Sequence, residues 1–261
     1  KSYISIILNL SSDHLERHKT MDIYFHTKLK IFTNAEHSIV NKDLNGLKQY
    51  STFEVKNKKF YLDNIPIDGL SCENNQIIFE SKSYILHGQH ESLNLCACIS
   101  VIRHIGLSIS EIISSFSRRT PLQHRVEEFL SYKGIKFIND SKSTNADATC
   151  NALESIKDNV ILIMGGDYKN ISYKRLIKPI NEKVKLLITI GVNKEHLYSE
   201  LDVETKMIHF DDLDEATSYI FSIMVSGDTV LMSPGTSSFY YYKNFEDRGN
   251  HFKRLVRNHA D

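Results

Sequence analysis

Four apolar runs punctuate the second half of the chain: "GIKFIND", "NVILIMGGD", "KLLITIG" and "DTVLMSPGTSS". Each is short enough for a buried strand, and helical segments lie between them, so from about residue 121 onward the pattern predicts βαβ units. Repeated βαβ units build a parallel, doubly wound sheet, which makes the expected fold class α/β with a Rossmann-like second domain. The first part is more mixed. A strand is expected over Tyr3–Leu10, a helical stretch near 14–30, hairpins in "FEVKNKKFYL" and "QIIFESKSYIL", and helices over about 91–105 and 108–117. Asp13 and Glu16 have the spacing of a capping box at the start of the first helix. "SSFSRRTPLQHR", with Arg118, Arg119 and Pro121, reads as a linker, so the expected division is 1–119 and 120–261.

Composition narrows the function classes. The chain has 261 residues, 41% hydrophobic and 25% charged, with a formal net charge of zero. A nucleic-acid or anionic-membrane surface is therefore not expected, and any basic groove has to be local. The four cysteines, Cys72, Cys96, Cys98 and Cys150, form no CxxC pair and no zinc-spaced cluster, which points to reduced thiols in a reducing compartment. No apolar run has the length of a membrane span, and "KSYISIILNLSSDH" turns polar too soon for a signal peptide. The expected setting is cytoplasmic.

Chemistry concentrates where the strands end. "FINDSKSTNADAT" sets Asp140, Ser141, Lys142, Ser143, Thr144 and Asn145 directly behind an apolar run. These residue types also suit a turn and a helix cap. Gly165, Gly166, Asp167 and Lys169 follow the second run, Gly191 the third, and Ser233, Gly235, Thr236, Ser237 and Ser238 the fourth. In an open parallel sheet, ligands bind beyond the carboxyl ends of the strands, where loops converge and helix N-termini present free N–H groups. Several polar loops on one edge, two of them pairing a lysine with an aspartate, predict an anion-binding site.

"NDSKSTN" (139–145), "GGDYK" (165–169), "HR" (124–125) and "SPGTSSFYYYKNFEDRGNHF" (233–252) together resemble the C-terminal domain of the Mur ligases, in particular their D-glutamate-adding branch. "LNLSSDHLERH" (8–18), "YFHTKLKIF" (24–32) and "LHGQHESLN" (86–94) are similar to the later part of that family's central ATPase domain. The resemblance covers essentially the whole chain, in order. It implies a partial central ATPase domain followed by the Rossmann-like C-terminal domain, with ATP and Mg2+ as cofactors. It further implies that UDP-N-acetylmuramoyl-L-alanine is activated as an acyl phosphate and attacked by the amine of D-glutamate, in a monomeric enzyme of peptidoglycan precursor synthesis. Such chemistry gathers much negative charge, which lysine, arginine and a divalent metal have to neutralise.

By the resemblance, Arg125, Asp140 and Asn94 contact ATP, Arg125 through phosphate. Lys142 and Thr144 lie near the reacting groups and the incoming amino acid, and Lys169, Ser238 and Phe245 hold D-glutamate. Taken alone, Phe245 reads as core packing. His14 is implied as a magnesium ligand, and Lys28, in "HTKLKIF", as a lysine that carbamylation turns into an anionic metal ligand. The bland reading of Lys28 is a solvated helix lysine. His14 and His18 also have the i, i+4 spacing of a zinc pair, but no third ligand is marked nearby.

The departures are specific. His90-Glu91 stands where the family shows His-Asn, and Tyr240 stands where an acid is common. No GxxxxGK[ST] occurs, and "GGDYKN" has the wrong spacing for one. The family's phosphate loop, its first metal-binding glutamate and its UDP-sugar domain correspond to sequence upstream of Lys1, so the chain is expected to be a fragment. The alternatives are a non-catalytic binding module derived from such a ligase, or another Mur-type or folylpolyglutamate-type ligase.

Overall fold

The computed structural model describes residues 1–10, 15–41, 58–61, 70–73, 76–79, 82–85, 89–106, 108, 110–111, 114–115, 122–157, 159–167 and 171–261. The chain divides into two compact units, Lys1–Thr120 and Pro121–Asp261.

In the first unit, β1 (Ser2–Ile7), β2 (Ala35–Asn41) and β3 (Lys58–Tyr61) form a parallel sheet in that order. Successive side chains of a strand face opposite ways, and both faces are covered. Ile7 and Val40 pack on Phe25, Leu29 and Phe32, while Ile39 packs with Ala97 of the helix Gln89–Ile105. A separate antiparallel sheet joins β4 (Leu70–Glu73), β5 (Gln76–Phe79) and β6 (Lys82–Ile85).

The hairpin read in "QIIFESKSYIL" is β5 and β6, whose antiparallel register pairs Gln76 with Ile85. The one read in "FEVKNKKFYL" is corrected, because β3 pairs with β2 in parallel, Lys58 opposite Ser38. A parallel partner is remote in sequence, so local alternation could not announce it. The first strand ends earlier than its apolar run, at Ile7, where its pairing with Val40 stops. The helix expected near 14–30 is also broken, into Leu15–His18 and Met21–Leu29. Lys19 is left-handed at φ 64°, and the Thr20 side chain accepts the Ile23 N–H at 3.2 Å, so a new helix is capped where the first would have continued. Ser108 and Glu111 form a reciprocal capping box, the hydroxyl accepting the Glu111 N–H and the carboxylate accepting the Ser108 N–H. The capping box read at Asp13, and the linker residues 116–121, lie outside the described residues.

The second unit is a six-stranded sheet in the order β11-β10-β9-β12-β8-β7. The four apolar runs are β8 (Ile135–Asn139), β9 (Val160–Gly165), β10 (Val184–Ile190) and β12 (Thr229–Met232). All are parallel. Two strands escape the sequence reading. The edge strand β7 (Glu127–Tyr132) is antiparallel to β8 through a tight turn at Lys133 and Gly134, both left-handed, as a two-residue hairpin of this hand requires. At the other edge is β11 (Met207–Phe210), four half-buried residues beside β10. Edge strands carry mixed faces and announce themselves weakly, whereas central parallel strands are buried on both sides and read as unbroken apolar runs.

Helices cover both faces. Ile138, Leu162, Met164 and Leu231 pack toward the helices Ala146–Glu154, Ile177–Lys183 and Lys194–Glu200. Phe137, Ile161, Ile163, Val230 and Met232 pack toward Leu213–Ile223 and the C-terminal helix Phe245–Ala260. Phe137 is fully buried, stacked on Phe221 with ring centroids 5.5 Å apart. Its replacement by alanine should cost about 3–5 kcal/mol in denaturant unfolding, the usual toll for emptying a buried aromatic site. A loss below roughly 1 kcal/mol would show that this face repacks freely.

Candidate functional site

β10, β9, β12 and β8 are neighbours in the sheet, with Ile190 opposite Gly165 and Met232 opposite both Ile163 and Asn139. The four loops that follow them therefore emerge side by side along one edge. The composition changes abruptly there, from Met232 to Ser233 and from Ile138 to Asn139 and Asp140.

The carboxylate of Asp140 is buried beneath the loop it begins. Ser143 and Ser233 donate their hydroxyls to Oδ2 at 2.5 and 2.7 Å, and the Val126 N–H donates to Oδ1 at 3.2 Å. Burial raises this carboxyl to about 6, despite those three donors and the nearby Arg125. Asn145 then caps the next helix, its side chain accepting the Ala148 N–H at 2.9 Å. Above this floor, Lys142 is half-buried, and its Nζ lies 3.9 Å from the centre of the Phe245 ring. That distance fits a cation–π contact.

Arg248 joins the loops. It is 1% exposed, on the first turns of the C-terminal helix. Nε donates to Ser141 Oγ, Nη1 to the Ser237 carbonyl, and Nη2 to the carbonyls of Ser141 and Thr236, each at 3.0 Å. Ser141 Oγ in turn donates to the Phe245 carbonyl at 2.8 Å. One planar guanidinium therefore fastens the β8 loop, the β12 loop and the C-terminal helix to one another, which no point charge could do with the same geometry. Burial lowers its pKa to about 10, so it stays a cation at neutral pH.

A second polar network lies behind it. The Asn139 amide donates to His124 Nδ1 at 2.9 Å and to Glu127 at 3.2 Å, and Glu127 pairs with Lys253 at 3.1 Å. Burial pushes the Glu127 carboxyl up, but the His124 N–H and the Lys253 ammonium outweigh it and hold the carboxyl below its ordinary value. Burial also lowers the His124 imidazole, which favours the neutral form that accepts from Asn139. His124 and Val126 are left-handed, at φ 62° and 46°. Such strain persists where surrounding bonds over-determine it, and here the two N–H groups are held by Glu127 and Asp140. Gly249 allows the C-terminal helix to lie on this turn, since a Cβ there would sit 2.2 Å from His124 Nδ1.

On the other side, Asp167 receives the N–H groups of Phe239 and Tyr240, both at 2.7 Å, one on each carboxylate oxygen. Its carbonyl accepts the Thr236 hydroxyl at 2.6 Å. Gly165, at φ 106°, makes the approach possible, because a Cβ would meet the Ile190 carbonyl at 2.3 Å. A cavity opens beside these loops, lined among others by Gly166, Asp212, Ser238, Tyr241, Tyr242 and Arg248.

Comparison with known proteins places both units. Residues 1–102 match the Mur ligase middle domain, and residues 124–235 match the Mur ligase glutamate ligase domain. The chain belongs to the Mur ligase family. It is 32% identical to the UDP-N-acetylmuramoylalanine–D-glutamate ligase of Alkaliphilus metalliredigens and 33% identical to that of Caldanaerobacter subterraneus. Both similarities cover 97% of this chain and 59% of the relative, so the chain spans well under two thirds of their length. Its fold is similar to that of Thermotoga maritima MurF ligase in complex with ADP, with a TM-score of 0.72 at 16% identity over 98% of this chain and 62% of that one. A pseudomurein peptide ligase from Methanothermus fervidus gives a TM-score of 0.70 at 16% identity, over 99% of this chain and 64% of that one.

Of the residues singled out from the sequence of this Mur ligase chain, Asp140, Lys142, Thr144, Ser238 and Phe245 fall on the joined β8 loop, β12 loop and helix start. Arg125 is exposed on the adjoining turn, which is tied to them by the Lys142 N–H to the His124 carbonyl. In the other unit, Lys28 is an exposed helix residue with Nζ 5.3 Å from the Tyr24 ring centre, and Asn94 is exposed on the helix Gln89–Ile105. His14 and Lys169 lie outside the described residues, as do the side chains of His90 and Glu91. At the departure Tyr240, the loop uses the backbone N–H, while the side chain points out to solvent at 66% exposure.

Sequence reading missed Arg248 as a site residue. Its signal was present: Phe245, Gly249, Phe252 and Val256 form the inward stripe of the last helix, and Arg248 falls within it.

Replacing Arg248 with lysine should destabilise the protein by roughly 2–4 kcal/mol, because one ammonium cannot reach four acceptors and buried carbonyls lose their donors. A urea midpoint within error of wild type would mean that water replaces the guanidinium. The buried Asp140 carboxyl, at about 6, binds its proton more tightly than an unfolded aspartate at 3.8. Its contribution is thus most favourable below about pH 4 and is lost as the pH rises through about 6. Relative to Asp140→Asn, which cannot titrate, wild type should lose roughly 2 kcal/mol of unfolding free energy between pH 4 and 7. A pH-independent difference between the two would contradict this.

Proposed function

We propose that this chain is the nucleotide- and amino-acid-handling part of an ATP-dependent ligase that joins D-glutamate to UDP-N-acetylmuramoyl-L-alanine, a cytoplasmic, monomeric enzyme of peptidoglycan precursor synthesis. The observation that carries the reading is the meeting of Lys142, Thr144, Ser238 and Phe245 on loops fastened by Arg248. The resemblance to relatives that bear the name of this ligase, along nearly the whole chain, supports it. On this reading the first unit is the later part of the ATPase domain and the second binds the amino acid and part of the nucleotide.

In the reaction, the carboxylate of the muramoyl substrate takes the terminal phosphoryl group of ATP. The amine of D-glutamate then attacks the acyl carbon, and phosphate leaves. Lys142, steered by the Phe245 ring, would neutralise charge at the reacting carboxylate. Lys169 would meet a carboxylate of D-glutamate, Ser238 would offer a hydrogen bond, and Phe245 would close the apolar side. Arg125, exposed and fork-shaped, would grip phosphate. Asp140 suits a supporting role better than direct contact, because its oxygens are already engaged by Ser143, Ser233 and Val126. Asn94 would serve the adenine side.

Magnesium fits the family, but among the described residues no three His, Cys, Asp or Glu side chains converge as a cage. Lys28 would become an oxygen ligand for the metal only on carbamylation, and when bound magnesium would supply positive charge to the phosphates.

The test is an assay of the full-length gene product with ATP and UDP-N-acetylmuramoyl-L-alanine, following ADP release. D-glutamate should be selected over L-glutamate and L-alanine. Lys142→Ala should lower kcat by about 100-fold, as loss of one charge-stabilising donor does, and Ser238→Ala should raise KM for D-glutamate by about 10-fold. ADP release that prefers another amino acid would identify a different Mur-type ligase. Nucleotide binding without turnover would identify a non-catalytic module.

A further inference from the structure

Phe245, Gly249 and Lys253 recur every four residues along the C-terminal helix, so they lie on one face of it. All three bear on the turn that carries Arg125. The Phe245 ring meets the His124 ring edge to face, with centroids 5.9 Å apart. Gly249 has no side chain to keep the helix off His124. Lys253 reaches Glu127, the first residue of β7, and its ammonium bonds both carboxylate oxygens, at 3.1 and 3.3 Å. The pair is largely withdrawn from water, with side-chain exposures of 11% and 17%. Glu127 also uses that carboxylate on the turn itself: Oε2 accepts the His124 N–H at 3.0 Å and the Asn139 amide at 3.2 Å.

From this arrangement we infer that Lys253, acting through Glu127, is a positioning residue for Arg125: it holds the turn in the conformation that presents the guanidinium to the phosphate of ATP. The inference rests on the reading that Arg125 grips phosphate. Arg125 stands between two left-handed residues, His124 and Val126, and a β-branched side chain is rarely found at positive φ. Such a backbone persists only where its surroundings over-determine it. Asp140 holds the Val126 N–H on one side of Arg125, and Glu127 holds the His124 N–H on the other. Asp140 is itself fixed by the hydroxyls of Ser143 and Ser233. Glu127 is fixed by an ammonium 126 residues away in sequence, so the second hold depends on the C-terminal helix.

The geometry differs from that of an ordinary surface ion pair, which contributes little and whose loss leaves the backbone where it was. Here one carboxylate oxygen, Oε2, is shared by the ammonium, a backbone amide and a side-chain amide. Without the ammonium, a mostly buried carboxylate keeps only neutral donors and is drawn toward water, away from His124. The His124 carbonyl in turn accepts the Lys142 N–H at 3.0 Å. A shift of the turn therefore changes how Arg125 and Lys142 are spaced, the two cations assigned to the phosphate and to the reacting carboxylate.

The experiment uses Lys253→Met, Lys253→Arg and Glu127→Gln in the full-length gene product, with hydrogen–deuterium exchange of the amides of residues 124–127 read alongside kinetics. Lys253→Met keeps the apolar stem and removes the charge. It should speed exchange at the turn and raise KM for ATP by about 5- to 10-fold while KM for D-glutamate stays nearly unchanged, a split that general loosening of the sheet edge would not give. Lys253→Arg, which can still meet both carboxylate oxygens, should restore wild-type values. Glu127→Gln has the native length but no charge for Lys253 to hold. It should move KM for ATP in the same direction, and it carries the test if Lys253→Met does not fold. Placed in Arg125→Ala, Lys253→Met should add less than about 2-fold, because a residue that acts through Arg125 has nothing left to position. A full additional rise in that background would overturn the positioning role, as would unaltered exchange or an unaltered KM for ATP in Lys253→Met alone. A wild-type protein that does not bind ATP would sink the ligase reading, and faster exchange in Lys253→Met would then leave the pair standing as a support of the turn.

Discussion

A single guanidinium, that of Arg248, is the constraint on which the candidate site depends. Taking such a cation out of water is costly, and the protein tolerates it because four hydrogen bonds from three of its nitrogens reach acceptors in two different loops. Those acceptors are backbone carbonyls and one hydroxyl, which belong to chain that would otherwise be irregular and wet. The buried charge and the loops therefore satisfy one another. Neither could be buried alone, and together they bring Lys142 and Ser238 to the same edge of the sheet as Phe245.

The same logic extends outward on both sides. Beneath the β8 loop, the Asp140 carboxylate collects two hydroxyls and an amide. Behind it, Asn139, His124, Glu127 and Lys253 form a chain that ends in a nearly buried ion pair. On the cavity side, Asp167 gathers two consecutive amides. Carboxylates and a guanidinium at this edge are used as organisers of backbone, each meeting donors or acceptors that the loops cannot satisfy internally. The sheet beneath supplies rigidity: its central strands are apolar on both faces and fully covered. Polar side chains concentrate at the residues where the ladder stops, and the loops inherit a fixed foundation.

This accounts for the tolerance of one departure and the sensitivity expected of another position. Tyr240 contributes an N–H to Asp167 and sends its ring into solvent, so the side chain at that position is free to vary. Gly249 has no such freedom, because the helix and the His124 turn approach within the radius of a methyl group. The exposed aromatic residues 239–241 and the half-buried Tyr242 follow directly on the loop that Arg248 secures. The wall of the cavity is thus built by a segment whose two ends are anchored, one by Asp167 and Arg248 and the other by the start of the C-terminal helix.

The central strands, their order along the chain, the α/β class and the polar chemistry at the strand ends were legible in the amino-acid sequence, because burial on both faces writes an unbroken apolar run and a loop that must cap a helix writes Ser, Asp and Asn. The family motifs were legible as well. The edge strands β7 and β11 were not, since half-covered strands carry no clear period, and neither was the parallel pairing of β3, which joins segments distant in sequence. Tertiary structure alone decided that Arg248, one charge in a helix full of them, is buried, and that Asp140 has its carboxylate turned inward to hydroxyls. Composition records which groups a chain owns. Which of them lose water, and to which partners they turn instead, depends on how remote segments meet.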